Sequence, residues 1–291
     1  MGQIFQALVD GIAVASIMAL GAVGLTLTYG ILKFANFAHG DFLTLGAYFT
    51  LLGTPWLGVG WAVPIGCILT ILVALAIDRT LWQTLRQKRA TATTMMIASI
   101  GLALVIRNSI ILIWGSGTQS YGLPVYPGLN FGGVVITPNR LVGIGLAILS
   151  IGGVYYLLQN TRIGWAMRAV ADNPELARVS GIPVDRVITW TWALAAGLTA
   201  LGGSIYAIVT TLHPNMGWFL IVPLFASVIL GGIGNPYGAI LGAALIGITQ
   251  ELGTICPPGM PICIGTQYKL GIGLAMMILV LLIRPQGLFK P

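Results

Sequence analysis

The chain has 291 residues, of which 57 % are hydrophobic and 7 % are charged, against about a quarter charged in a typical soluble domain. This composition excludes a water-soluble enzyme and indicates an all-α polytopic membrane protein. The net charge of +7 does not indicate nucleic-acid binding, because the basic residues stand at the ends of apolar runs, as they do on the cytoplasmic side of membranes.

Apolar runs in the first half of the chain predict membrane segments at 4–32, 57–77, 94–114 and 140–158, with a short run at 42–53. The short run is below the roughly 20 residues of a perpendicular span, and it follows the polar stretch Lys33–Phe42. We expect a broken or partly re-entrant element there, since irregular backbone is tolerated in a membrane only against protein or a water-filled cavity. Basic residues after 77 predict a cytoplasmic loop, and the uncharged stretch before 139 an external one.

The longest polar interruption, at 160–190, predicts a short helix with both ends marked. Asp172 or Asn173 can cap its N-terminus, Pro174 suits its first position, and Gly181 can take the left-handed conformation that ends it. About two turns are not stable alone in water, so the helix must rest on the bundle or on a partner. A docking helix and an ordinary cytoplasmic loop both fit this spacing. The residues concerned are Asp172, Pro174, Glu175, Leu176, Arg178, Val179, Gly181 and Arg186.

The second half predicts segments at 187–210, 218–233, 238–252 and 268–283, for a total of eight or nine. This order puts the N-terminus outside and the C-terminus inside. The tripeptides at 45–47 and 241–243 are alike and each follows a polar break, which suggests an internal repeat. Cys256 and Cys263 share an external loop, where a disulfide is favoured over two free thiols.

Polar side chains within the apolar runs are candidates for a substrate path, because ionisable groups inside a membrane are costly and usually functional. For His39 and Asp41 a position at the cytoplasmic headgroups is an equal alternative. For Arg107 we favour an extended side chain that reaches the outer interface, and we expect Glu251 to be solvated. The candidates for the path are Asn36, His39, Asp41, Ser99, Asn108 and Ser204, with Arg107 beside them.

Enzymatic and metal chemistry is not expected of this chain. The predicted topology puts His39 and His213 on opposite sides of the membrane, so they cannot share a metal. The sequence has no intact nucleotide-binding motif, and any use of ATP must therefore belong to a partner.

Four stretches resemble the membrane permeases of bacterial ABC importers for branched-chain and neutral amino acids. The resemblance extends over nearly the whole chain and implies one permease domain at 1–291, with a cytoplasmic coupling loop at 159–186. The acid at Asp41 is a mild departure, since amino acid permeases more often have Glu there. The stretches are TLTYGILKFANFAHGDF, GWAMRAVADNPELARVSGIPVDRV, SVILGGIGNPYGAILGA and the C-terminal RPQGLF.

The resemblance also implies partners and a location. It implies a second, related but different permease subunit, two ATP-binding cassette subunits that hold Mg-ATP, and an external solute-binding protein, all at the bacterial inner membrane. The chain itself would bind no cofactor and would couple to the ATPases through the short helix. Urea permeases have a similar polar break, so import of urea or a short amide is the alternative. A stand-alone channel or secondary carrier is a third possibility, but it gives no reason for a capped docking helix.

Overall fold

The computed structural model of the protein describes residues 2–124, 127–131, 134–255, 265–284 and 287–289. These described residues are mostly helical (81 %). The expectation of an all-α protein needs one correction, because a short antiparallel hairpin of β1 (Leu129–Phe131) and β2 (Val134–Ile136) lies in the loop before residue 138. The α-helices are α1 (Gly2–Leu32), α2 (His39–Ile77), α3 (Gln83–Gln87), α4 (Ala92–Trp114), α5 (Pro138–Asn160), α6 (Arg162–Asp172), α7 (Pro174–Val179), α8 (Val184–Val209), α9 (Met216–Gly231), α10 (Pro236–Leu252) and α11 (Lys269–Ile283). A π-helical stretch, Asp78–Trp82, joins α2 to α3, and a 3-10 turn, Thr266–Tyr268, precedes α11.

Six helices in the described part of the chain are long and apolar enough to cross a membrane. They lie within 3–32, 39–87, 92–114, 138–160, 184–209 and 266–283. α9 and α10, with 16 and 17 residues, are shorter than a perpendicular span. The chain is therefore a multi-pass membrane protein, while the count of eight or nine segments and the internal repeat stay predictions.

The helix α2 is divided into two arms by Gly58, whose backbone is not helical (φ 68°, ψ 162°). A Cβ added to Gly66 would lie 2.4 Å from the Thr50 hydroxyl oxygen, and one added to Gly53 would lie 3.1 Å from Ala62 Cβ. A straight helix would hold positions 50 and 66 roughly 24 Å apart. The arms 39–57 and 59–77 therefore fold back on each other, and the predicted short run at 42–53 is wrong in its bounds.

The core is formed by α1, α8, α9 and the first arm of α2, whereas α4, α5 and α11 are peripheral. Small residues allow backbones to approach closely in this core, as is usual between membrane helices. A Cβ on Gly203 of α8 would lie 2.0 Å from the Leu43 carbonyl oxygen, and one on Gly46 would lie 2.4 Å from Ala200. The first arm of α2 is thereby fixed along α8.

The bundle has two distinct ends, and we call the one that carries residues 161–186 the polar-loop end. There Trp82 stacks on Trp192 of α8, with ring centroids 5.9 Å apart, and the Leu288 amide donates to the Leu230 carbonyl at 2.8 Å. At the opposite end the Gln6 side chain donates to the Val135 carbonyl at 3.0 Å. The first and last described residues of the chain thus lie near opposite ends of the bundle. Cys256 and Cys263 lie outside the described residues, and their disulfide stays a prediction.

Candidate functional site

A non-helical segment, 33–38, joins α1 to the first arm of α2, and it is buried or half-buried beyond the exposed Lys33. Two of its backbone amides donate to side chains. The Ser99 hydroxyl accepts from the Phe37 amide at 3.0 Å, and Asn36 Oδ1 accepts from the Ala38 amide at 3.1 Å. Buried polar backbone must find such partners in a membrane, so the polar break of the sequence is a broken element held by α4. The Asn36 Nδ2 atom is buried and has no hydrogen-bond partner among the described residues.

His39, the first residue of α2, binds two central helices. Its Nε2 lies 2.9 Å from the Gly21 carbonyl oxygen of α1 and 2.9 Å from the Thr199 hydroxyl of α8. Because a carbonyl oxygen only accepts, Nε2 carries the proton. Gly21 lies well inside α1, and His39 is only 2 % exposed. His39 therefore lies beside the middle of α1, whereas the depth of His39 and Asp41 in the membrane stays a prediction.

Asp41 forms a buried bidentate ion pair with Arg107 of α4. Arg107 Nε and Nη2 donate to Asp41 Oδ1 and Oδ2, each at 3.1 Å, and the carboxylate side chain is fully buried. The Arg107 guanidinium also lies 4.6 Å from the ring centroid of Trp218 on α9. One charge pair thus ties α2, α4 and α9 together. The expectation that Arg107 extends to the interface is wrong, because a carboxylate inside the bundle is its partner.

A second polar contact lies further along the first arm of α2. The hydroxyls of Thr50 and Ser204 are 2.8 Å apart, and the Tyr121 hydroxyl donates to the Ala47 carbonyl at 2.9 Å. Burial raises the pKa of the Tyr121 phenol above its ordinary value, so the hydroxyl stays a donor. This contact joins α2 and α8 to the loop after α4.

The predicted path residues divide into two groups. The structure brings Asn36, His39, Asp41 and Ser99 together at the start of α2, with Ser204 in the second contact. Asn108 lies on the exposed face of α4, and its amide donates to its own helix at the Leu104 carbonyl, 2.7 Å away. Sequence reasoning missed the partners Thr50, Thr199 and Trp218, whose residue types are unremarkable in apolar runs.

At the polar-loop end, α6 is an amphipathic helix that sequence reasoning missed. The Thr161 hydroxyl accepts from the Gly164 amide at 3.1 Å and begins the helix. Gly164, Met167 and Val170 are buried at helical spacing, while Arg162 and Arg168 are exposed. The spacing of Gly164, Met167 and Val170, three residues apart, was the available sequence signal for this helix. The glycine at the first of these positions weakened that signal because it is not a clearly apolar residue.

The short helix α7 follows α6 directly. Asn173 Oδ1 accepts from the amides of Glu175 and Leu176, both at 3.0 Å, and Pro174 is the first helical residue. Gly181 follows the helix with a φ of 86°. These local predictions are confirmed, with Asn173 as the cap, whereas Asp172 is the last residue of α6.

The two sides of α7 differ in burial. Ala177 is 4 % exposed and packs on the bundle, whereas Leu176 and Val179 are 64 % and 87 % exposed. Glu175, Arg178 and Arg186 are exposed around them. The helix thus presents an apolar pair rimmed by charges, which is typical of a surface that binds another protein.

These features define a multi-pass membrane protein of the transport class, with a broken helix, buried polar contacts in an apolar core and an exposed capped helix at one end. Residues 7–281 match the sequence profile of the family described as branched-chain amino acid transport system / permease component. The chain therefore belongs to this family, and the resemblance seen in the sequence is confirmed.

Similar proteins bear this out. The high-affinity branched-chain amino acid transport system permease protein BraD of Pseudomonas aeruginosa is 28 % identical over 97 % of this chain and 94 % of its own length. LivH of Escherichia coli K12, described in the same words, has the same identity and coverage. A Methanocaldococcus jannaschii protein named as a LivH-type branched-chain amino acid transport permease is 31 % identical over 94 % of this chain and 89 % of its own length.

Solved structures share the fold at low identity. PsaBC from Streptococcus pneumoniae in complex with Fab has a TM-score of 0.52 at 14 % identity, over 97 % of this chain and 91 % of the other. A structure described as an inward-facing metal-chelate type ABC transporter has a TM-score of 0.50 at 14 % identity, over 96 % and 85 %. At this identity the likeness extends to the fold alone.

Proposed function

We propose that the chain is the transmembrane permease subunit of an ATP-driven importer for branched-chain and other neutral amino acids. It receives its substrate from an external solute-binding protein and pairs with a second, related but different permease subunit. Two separate ATP-binding cassette subunits hold Mg-ATP and hydrolyse it. The complex lies in the bacterial inner membrane, with the polar-loop end in the cytoplasm and the N-terminus outside. The observation that carries the proposal is the exposed apolar pair on α7.

The helix α7 is suited to dock into an ATPase subunit. Six residues are too few for a stable isolated helix, yet the caps at both ends hold this one in shape. Leu176 and Val179 supply the apolar contact, and the charges around them supply a polar rim. A preformed docking element needs little ordering when it binds, so more of its contact energy remains for coupling.

Motion at α7 has a direct route into the membrane. α7 connects to α8 through Gly181, and the Ile182 amide donates to the Ala177 carbonyl at 3.0 Å. α8 then contacts the first arm of α2 through Thr199–His39 and Ser204–Thr50. Closure of the ATPase pair on ATP would move α7 and α8 and shift the first arm of α2. We propose that this arm lines the substrate path together with the segment before it, α4 and α8. The lining residues are Asn36, His39, Asp41, Ser99 and Ser204.

The test is uptake of radiolabelled leucine by proteoliposomes that contain the complete complex and the external binding protein. Leu176→Asp and Val179→Asp are expected to lower uptake and substrate-stimulated ATP hydrolysis at least tenfold, because a charge in the apolar contact prevents docking. Gln87→Asp, at another exposed position near the polar-loop end, is the matched control and should retain both activities. Undiminished uptake and hydrolysis in both α7 variants would reject the coupling role.

The relatives favour amino acids over the alternative of urea or a short amide, since BraD and LivH are named for branched-chain amino acid transport. Competition of labelled leucine uptake by unlabelled leucine, alanine and urea separates these substrates. Inhibition by leucine and alanine but not by urea is expected. A stand-alone channel or carrier would transport leucine without co-purified ATPase subunits.

A further inference from the structure

A cavity of about 370 Å³ lies at the end of the bundle opposite the polar-loop end. Residues near the ends of α1, α5, α8, α9, α10 and α11 line it. Its volume is within the roughly 300–1,000 Å³ of small-molecule sites. Its apolar lining includes Val14, Met18, Phe219, Leu220 and Pro223.

Two ion pairs line the same cavity. Asp10 of α1 pairs with Arg140 of α5, and Glu251 of α10 pairs with Lys269 of α11 at 2.5 Å. The four side chains are between 13 % and 34 % exposed, so each can be reached from the cavity without being fully solvated. The cavity thus combines two carboxylates, two cations and an apolar interior, and its charges are balanced.

We propose that this cavity binds a free zwitterionic amino acid with an uncharged side chain at the entrance of the permease. The inference rests on the proposed function and adds a site to it. Arg140 or Lys269 binds the α-carboxylate, and Asp10 or Glu251 binds the α-ammonium group, in charge-assisted hydrogen bonds. The side chain of the amino acid packs against Met18 and Leu220.

Charge balance gives the selectivity. A zwitterion brings one charge of each sign, so every cavity charge keeps an opposite partner when it binds. A ligand with one net charge would leave a cavity charge unpaired in a partly desolvated place, which is costly. Leucine should therefore bind better than leucine amide, which lacks the carboxylate, or 4-methylpentanoate, which lacks the amine.

A neighbouring cavity of about 360 Å³ provides a matched control. It shares Val209 and Thr210 with the first cavity, so both lie at the same end of the bundle. The described residues that line it are uncharged at neutral pH and include Ser120, Asn139 and Ile208. It has the size for an amino acid but does not have the charges, and it should not bind one.

The experiment measures equilibrium binding of radiolabelled leucine to the purified full-length permease with its partner subunits, without nucleotide or external binding protein. Leu220→Trp, which fills the first cavity, should lower the affinity at least tenfold. Ile208→Trp, which fills the second, should leave it within twofold. Leucine amide and 4-methylpentanoate should each compete at least tenfold more weakly than leucine. Arg140→Gln should also weaken leucine binding at least tenfold, and it adds no bulk that could disturb folding.

Several outcomes would overturn the inference. They are leucine binding that survives Leu220→Trp, equal competition by leucine amide, and no binding to a wild-type protein that is monodisperse in gel filtration. Arg140→Gln that lowers uptake but not leucine binding would assign this surface to docking of the external protein instead. ATP-driven leucine uptake without this binding would overturn the cavity site and leave the proposed function intact. Leucine binding by a permease that co-purifies with no ATPase subunits would overturn the proposed function and leave the cavity site intact.

Discussion

At the start of α2 the chain buries charged and polar side chains, whereas at α7 it exposes apolar ones. The buried groups satisfy each other: His39 binds α1 and α8, and Asp41 binds Arg107. The exposed pair, Leu176 and Val179, contacts little of its own chain. The buried polar contacts at the start of α2 therefore stabilise the permease, whereas the exposed apolar pair on α7 is available to bind a partner. Changes in the first region should act on stability, and changes in the second on coupling.

The largest effect on stability is expected from Arg107→Met, which leaves the Asp41 carboxylate buried without a partner. Breaking one side of a buried pair costs about 3–5 kcal/mol. Denaturant unfolding in detergent micelles should detect this loss in the free energy of unfolding. The double variant Asp41→Leu with Arg107→Met removes both charges and should recover most of the stability. A single variant as stable as the parent would show that the pair does not hold α2 to α4.

A smaller loss is expected from Gly217→Ala, at the contact between the start of α9 and the start of α2. The new Cβ would lie 1.9 Å from the Gly40 carbonyl oxygen, and backbone atoms cannot move aside cheaply. Overpacking of this kind costs about 1–3 kcal/mol. The same unfolding measurement applies. Gly101→Ala on α4 is the control, because nothing lies within 4 Å of its added Cβ, and it should be neutral or slightly stabilising. Equal behaviour of the two variants would contradict the close approach.

The smallest loss is expected from Ser204→Ala, which removes the hydroxyl contact with Thr50. Side-chain hydrogen bonds between membrane helices contribute about 0.6 kcal/mol on average. Thr50 keeps its bond to the Gly46 carbonyl at 3.0 Å, so it is not left unsatisfied. A double-mutant cycle with Thr50→Val isolates the pair. A coupling energy of zero would remove this contact from the link between α2 and α8.

Local features were the most predictable from the sequence. Asn173, Pro174 and Gly181 mark α7 because caps, proline and left-handed glycine act within one turn of the chain. The polar break predicted at 33–42 was visible for the same reason, since it interrupts an apolar run, although only 33–38 is non-helical. Five of the six candidate spans in the described part of the chain followed from hydropathy with bounds within three residues, whereas the one at 39–87 was predicted as two separate runs.

Contacts between distant segments were not predictable. Asp41 and Arg107 belong to different helices, and the sequence around either residue does not indicate the other as its partner. Lipid and protein interior are both apolar, so hydropathy does not tell which face of α4 is buried. That is why Asn108 was grouped with Ser99, although the fold turns it outward. The turn at Gly58 lies at the start of the second of two predicted runs, 57–77, and its position depends on how the two arms pack.

The most direct test of the exposed apolar pair as a docking surface is thiol labelling of Val179→Cys, in a chain whose three native cysteines are replaced by serine. We expect the maleimide reaction to be fast in the isolated permease and at least tenfold slower when the ATPase subunits are bound, because the ATPase covers α7. Thr210→Cys, exposed at the opposite end, should react equally fast in both states. Equal labelling of position 179 with and without the ATPase subunits would contradict the account.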